Sequence, residues 1–154
     1  MTTATTREAD LRRIEELHRG WVDANAVGDI AWLRANIAPG GPDDFVMWNT
    51  MGSNFFGVDG IVDLWERLTV MAADVPTQET VSTAWDERYE LSGDLAVVSY
   101  MCRLVIDFGP AGAEAGGNLD QTYRSTEVYQ RRDGDWKMVH YHGSPHQPGV
   151  MGGS

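Results

Sequence analysis

Two histidines near the carboxyl end, His140 and His142, are the residues best suited to acid–base chemistry. They lie two positions apart on a predicted strand, so their side chains share one face. The unperturbed pKa of imidazole lies near neutrality, so either ring could carry a proton in catalysis. A structural role, with the rings bonded to the backbone or to a neighbouring carboxylate, is the alternative.

A carboxylate partner for these histidines depends on the strand register. Asp133-Gly134 predicts a two-residue hairpin turn, and counting back from it places Glu127 opposite His140. Directly paired residues have Cβ atoms roughly 4.5 to 5.5 Å apart, so the carboxylate would orient the imidazole. A one-residue bulge would instead place other side chains on the histidine face, namely Arg124, Thr126 and Val128.

Arg103 interrupts an otherwise apolar predicted strand. A charge at such a position is costly unless it is solvated or paired. One interpretation is an anchor for a carbonyl or an anion inside a cavity, because guanidinium presents a rigid fork of donors. The other is a structural ion pair with one of three acids: Asp107, Glu127 or Asp86.

Metal and cofactor motifs find little support in the sequence. Four residues are potential ligands: Cys102, His140, His142 and His146. They form no Cys pair and no third ligand follows at a fixed spacing, so we predict no metal site. Glycine-rich nucleotide-binding and serine hydrolase motifs are also lacking, so we predict no cofactor.

Length and charge narrow the function classes. The 154 residues suffice for one compact domain, which we expect over 1–148, with a flexible tail at 149–154. Acids outnumber bases 23 to 12, giving a net charge of −11 that argues against nucleic-acid and anionic-membrane partners. The single cysteine requires no oxidising compartment, and we expect a cytoplasmic location.

The hydrophobic pattern predicts helices followed by long strands. Helical spacing indicates three helices, ending near Gly28, Ile37 and Met71. Alternation then indicates strands at 77–91, 95–108, 119–132 and 136–142, after a short strand at 45–48. A glycine-rich flexible loop is expected over 109–117. This order predicts an α+β fold in which a curved antiparallel sheet wraps around the three helices as an open cone.

Several polar and aromatic residues are candidates for the lining of such a cone. His18 and Asn25 lie on the apolar stripe of the first helix, so each needs a partner or a ligand. Tryptophans at apolar positions are core residues by default. We nevertheless expect a ligand pocket lined by Trp21, Asn25, Trp48, Phe55, Trp65, Arg124 and His142.

The last two strands carry a recognisable pattern. The segment TEVYQRRDGDWKMVHYH at 126–142, together with the helix end NAVGD at 25–29, resembles the nuclear transport factor 2-like superfamily, in particular its SnoaL-like branch. The final strands are most similar to the association (hub) domain of calcium/calmodulin-dependent protein kinase II. The resemblance spans about residues 8–146.

This resemblance implies a cone of the cystatin-like roll type with an internal pocket, commonly in a homodimer packed through the outer sheet face. It also implies that Arg103 matches a hub arginine directed into the pocket. Glu127 and Gly143 stand where the hub has further arginines, so this pocket should be less cationic. The family includes isomerases, dehydratases, cyclases and purely binding or assembly domains, so the fold alone does not fix the function.

Two functions are therefore expected from the sequence. The first is a cofactor-free isomerase, dehydratase or cyclase acting on a small apolar carbonyl-bearing metabolite. In it His140 would shuttle the proton, Glu127 would orient His140, and Arg103 would stabilise the oxyanion. The alternative is a non-catalytic module that binds a small ligand or self-associates as the hub domain does.

Overall fold

A computed structural model describes residues 2–49, 52–72, 79–114 and 117–149. The helices among them are α1 (Thr2–Val27), α2 (Ile30–Asn36), α3 (Gly57–Ala72) and α4 (Gly109–Glu114). The strands are β1 (Val46–Trp48), β2 (Asn54–Phe56), β3 (Glu79–Ser92), β4 (Leu95–Asp107), β5 (Leu119–Arg132) and β6 (Asp135–Pro145). Within these ranges no helix is long and apolar enough to cross a membrane.

The six strands form one curved sheet in the order β2-β1-β6-β5-β4-β3. The four long strands are an antiparallel meander, as predicted, and the α+β cone is confirmed. Strand β1 runs parallel to β6, however, so the sheet is mixed rather than purely antiparallel. The sequence pattern also missed β2, which pairs with β1 through only three residues.

Alternation along the strands defines two faces of this sheet. On β4 the even-numbered residues from Ala96 to Cys102 are buried, and on β5 the odd-numbered residues from Tyr123 to Tyr129 are buried. These side chains form the inner face, which packs with α1, α2 and α3 in one core cluster. The intervening residues form the outer face.

The β5–β6 hairpin combines a tight turn with a bulge. Arg132 pairs with Asp135, which confirms the two-residue turn. Tyr129 pairs with Met138 but Val128 pairs with His140, so Val139 is an extra residue on β6. The bulge reverses which side of the sheet each later residue of β6 faces.

The glycine-rich segment after β4 differs from the expected flexible loop. Residues Gly109–Glu114 form the short helix α4, while 115–116 lie outside the described residues. Side chains at both flanks fix the backbone here. Asn118 Oδ1 accepts from the Phe108 amide at 2.9 Å, and Asp107 Oδ1 accepts from the Gly109 amide at 2.6 Å. Of the predicted flexible tail, only Gly149 is described.

The hairpin turn should be sensitive to loss of glycine. Gly134 has a φ of +84°, and an added Cβ would meet no atom within 4 Å, so the cost is conformational rather than steric. We expect Gly134→Ala to lower the free energy of unfolding by about 1 kcal/mol in urea titration. Gly41→Ala is the control, because its Cβ is equally free and its φ is not positive. Equal stability of the two variants would contradict the turn assignment.

Candidate functional site

The bulge moves the predicted histidines out of the cone. His140 and His142 pair with Val128 and Thr126 on the outer face, so their expected place in the internal pocket is wrong. Glu127 pairs with Tyr141 and faces inward, so the predicted Glu127–His140 contact is also wrong. The alternative register, with a bulge, is confirmed.

Arg103 also lies outside the cone, contrary to the pocket interpretation. Alternation places it on the outer face of β4, where its side chain is exposed. Its guanidinium donates to both carboxylate oxygens of Asp120 at 2.8 and 2.7 Å. The charge of Arg103 is therefore both solvated and paired, so its position on a strand is not costly. Its partner is not one of the three acids expected from the sequence. Arg124 is exposed on the same face.

A different polar cluster occupies the interior. Glu127 is completely buried, and its carboxylate accepts hydrogen bonds from three side chains: His18, Tyr100 and Tyr129. His18 on α1 places Nδ1 at 3.1 and 3.2 Å from the two carboxylate oxygens. The Tyr129 hydroxyl donates to Oε2 at 2.6 Å. The carboxylate thus requires the hydrogen of His18 on Nδ1, which leaves Nε2 as the basic nitrogen.

Two further tyrosines surround the His18 ring. The ring of Tyr100 lies 4.5 Å from it between centroids and that of Tyr89 lies 5.9 Å from it, both edge-on. Burial, reinforced by the Glu127 charge, raises the pKa of Tyr100 and of Tyr129 well above the ordinary value. Burial and the neighbouring Glu87 charge raise the pKa of Tyr89 to about 12. All three hydroxyls therefore remain protonated donors at neutral pH.

The His18 ring meets a small cleft between α1 and β3. The cleft has a volume of about 190 Å³ and is lined by His18, Arg19, Val22, Asp23, Ala84 and Glu87. Strand β3 bulges beside it between Trp85 and Arg88, where Asp86 has a φ of +56°. A non-glycine residue in this conformation is uncommon and marks a locally strained backbone. His18 is 2% exposed, so only a small part of it is accessible from the cleft.

The aromatic residues expected to line a pocket fall into two groups. Trp21 and Trp65 are buried and stacked with 6.0 Å between ring centroids, and Phe55 packs against the same core. Trp48 is 49% exposed and lies on the outer face against the two histidines, so its predicted place in the pocket lining is wrong. Asn25 is partly buried near the end of α1.

Comparison with known proteins identifies the family. The profile of the SnoaL-like domain matches residues 14–148. The chain belongs to the SnoaL-like domain family. No curated protein matches the sequence significantly.

Three solved structures illustrate the breadth of the fold. A candidate dehydratase of the nuclear transport factor 2-like family from Streptomyces avermitilis is 18% identical, with a TM-score of 0.72 and coverage of 92% of this chain and 99% of the other. A hexachlorocyclohexane dehydrochlorinase, LinA type 3 from Novosphingobium barchaimii, is 17% identical, with a TM-score of 0.72 over 94% and 92%. A candidate calcium/calmodulin-dependent protein kinase II association domain from Xanthomonas campestris is 21% identical, with a TM-score of 0.65 over 90% and 89%. These likenesses establish the fold.

The contribution of the Glu127 cluster to stability can be tested with two buried tyrosines whose hydroxyls contact different groups. The Tyr129 hydroxyl donates to a buried carboxylate, whereas the Tyr141 hydroxyl lies 3.2 Å from the Ser125 hydroxyl. We expect Tyr129→Phe to cost about 1.5 to 3 kcal/mol of unfolding free energy, because the bond to a charged acceptor is the stronger. Tyr141→Phe should cost about 1 kcal/mol in the same denaturant titration. The reverse order would show that Glu127 does not depend on Tyr129.

Proposed function

We propose that this SnoaL-like protein is a cofactor-free lyase or isomerase that moves a proton on a small apolar carbonyl-bearing metabolite. The observation that carries the proposal is the buried His18–Glu127 pair. Nε2 of His18 is not engaged by Glu127, and His18 is one of the residues that line the cleft. A histidine oriented by a carboxylate is a common general base, and general acid–base catalysis contributes typically 10²–10⁴-fold to a rate. His18 takes the role that the sequence suggested for His140.

The proposed step is an elimination. His18 Nε2 removes a proton from the carbon beside the carbonyl, and the electron pair of that C–H bond forms the new C=C bond. The C–O bond at the next carbon breaks, and the imidazolium returns the proton to the leaving hydroxide, giving water and an enone. Glu127 accepts the hydrogen bond from His18 Nδ1 throughout and stabilises the imidazolium.

Tyr89 is proposed as the donor to the substrate oxygen. Its hydroxyl stays protonated because its pKa is about 12, and its ring lies 5.9 Å from that of His18. A hydrogen bond from this hydroxyl would stabilise negative charge that develops on the carbonyl oxygen. Tyr89 thereby takes the role that was expected of Arg103.

The rim of the cleft favours a neutral or cationic substrate. Asp23 and Glu87 on the rim carry two negative charges against the single positive charge of Arg19. A substrate carboxylate would meet net repulsion there. The dehydratase and dehydrochlorinase among the similar structures are consistent with elimination as the reaction class.

A non-catalytic binding or assembly module is the second candidate. The observation that favours it is the nearly complete burial of His18, which a structural partner of Glu127 would also show. The likeness to a candidate association domain is consistent with this reading. The two functions differ in one measurable respect, because only an enzyme has a turnover that depends on His18.

The enzyme proposal is tested by replacing His18. A panel of small β-hydroxy ketones would be followed by enone absorbance, and hexachlorocyclohexane by chloride release. We expect His18→Gln to lower kcat by roughly 10²-fold or more for any compound turned over, because glutamine cannot carry the proton. His146→Gln, which removes a histidine after β6, should leave the rate unchanged. Equal rates for His18→Gln and the wild type would reject the role of His18.

We also propose that the chain forms a homodimer through the β3–β4 half of the outer face. On β3 the exposed side chains Val81 and Trp85 share this face with Met101 of β4. Exposed apolar side chains grouped on one sheet face are typical of an interaction surface. A second copy packed there would remove them from water.

The dimer is tested by measuring mass in solution. We expect sedimentation to give twice the chain mass of 17.1 kDa, and Trp85→Glu to give the single chain, because a charge would be buried against apolar surface. Trp48→Glu is the matched control, since Trp48 is an exposed tryptophan at the other end of the same face. A wild-type protein that sediments as a single chain at micromolar concentration would overturn this proposal.

A further inference from the structure

The other half of the outer face carries a cluster that the proposed chemistry does not use. His140 and His142 project from β6 beside Trp48 of the parallel strand β1. The Trp48 ring lies 5.2 Å from the His140 ring and 5.5 Å from the His142 ring between centroids, edge-on to both. His142 and Trp48 are exposed, and His140 is half-buried. Both imidazoles therefore border a single indole at the surface.

The His140 ring is held in an orientation that suits ligation. A hydrogen bond to the Val46 backbone fixes the His140 ring, and it engages only one of the two ring nitrogens. Metal-binding histidines commonly have their other nitrogen anchored in this way. Within the described ranges, no side chain hydrogen-bonds either ring.

Although the sequence alone predicts no metal site, we propose that His140 and His142 chelate one divalent transition-metal ion on the outer face. Two side chains two positions apart on a strand point the same way, so both imidazoles can reach one ion. Imidazole nitrogen suits Cu²⁺, Ni²⁺ and Zn²⁺, whereas Ca²⁺ and Mg²⁺ prefer oxygen ligands. The described residues hold no group of three or more histidine, cysteine or acidic side chains that could enclose a metal. Water therefore completes the shell, and Cu²⁺ binds best of the three ions.

This site is separate from the interior cluster. The outer face of β6 carries the histidine pair, whereas Glu127 and its partners occupy the inner face of the same sheet. It is also separate from the proposed dimer surface, because β5 lies between β6 and the β3–β4 half of the face. Loss of metal binding should therefore leave both stability and oligomeric state unchanged.

The test uses tag-free full-length protein and CuSO4, with Trp48 as a built-in reporter. A Cu²⁺ ion on the pair would lie close to the indole and quench its fluorescence. We expect saturable quenching at one ion per chain, reversed by EDTA. His142→Gln should weaken Cu²⁺ binding by about tenfold or more, because one of two protein ligands is lost. His146→Gln is the matched control and should bind as the wild type does.

Two further variants separate the site from nonspecific binding. Trp48→Phe should abolish the saturable quenching while calorimetry still detects one Cu²⁺ per chain. Ni²⁺ and Zn²⁺ should bind more weakly than Cu²⁺ in the same calorimeter. Wild-type affinity in His142→Gln would overturn the proposal, as would quenching that persists in Trp48→Phe. His142 is exposed, so folding of its variant, checked by circular dichroism, is not at risk.

Discussion

Burial of the Glu127 carboxylate is the constraint on which the interior arrangement depends. A carboxylate removed from water is costly unless hydrogen bonds compensate for the lost hydration. His18 and Tyr129 supply two of those bonds from α1 and β5. Helix α1 must therefore lie at one depth and one rotation against the sheet. Trp21, on the same stripe as His18, is thereby placed 5.0 Å from Tyr141, between ring centroids.

The extra residue at Val139 separates two kinds of chemistry on one strand. Beyond the bulge, Tyr141 and Gly143 face inward and pack in the core, while His140 and His142 face outward. The interior retains a single histidine with a carboxylate partner, which suits proton transfer. The exterior holds two histidines to which the described residues supply no such partner, which suits ligation. One inserted residue thus determines that both imidazoles of β6 lie on the outer face of the sheet.

The sequence predicted the elements far better than the site. Apolar alternation located the four long strands. The same alternation on β4 places Arg103 on the face away from Ala96, Val98 and Tyr100, whereas the resemblance to the hub domain implied that Arg103 faces the pocket. His18 was recognisable as a polar residue on an apolar stripe. Its partner was not, because the contact joins residues 109 positions apart. The bulge left no sequence signal, since valine is an ordinary strand residue.

The proposed catalysis requires access to His18, and that access depends on the edge position of β3. The cleft of about 190 Å³ is bounded by α1 on one side and β3 on the other. β3 is an edge strand, hydrogen-bonded in the sheet only to β4. Its ladder is interrupted at Asp86, where pairing shifts between Trp85 and Arg88. Widening the cleft there breaks fewer backbone hydrogen bonds than at any interior strand. A substrate would therefore enter between α1 and the bulge of β3, passing Asp23 and Glu87 before it meets the imidazole.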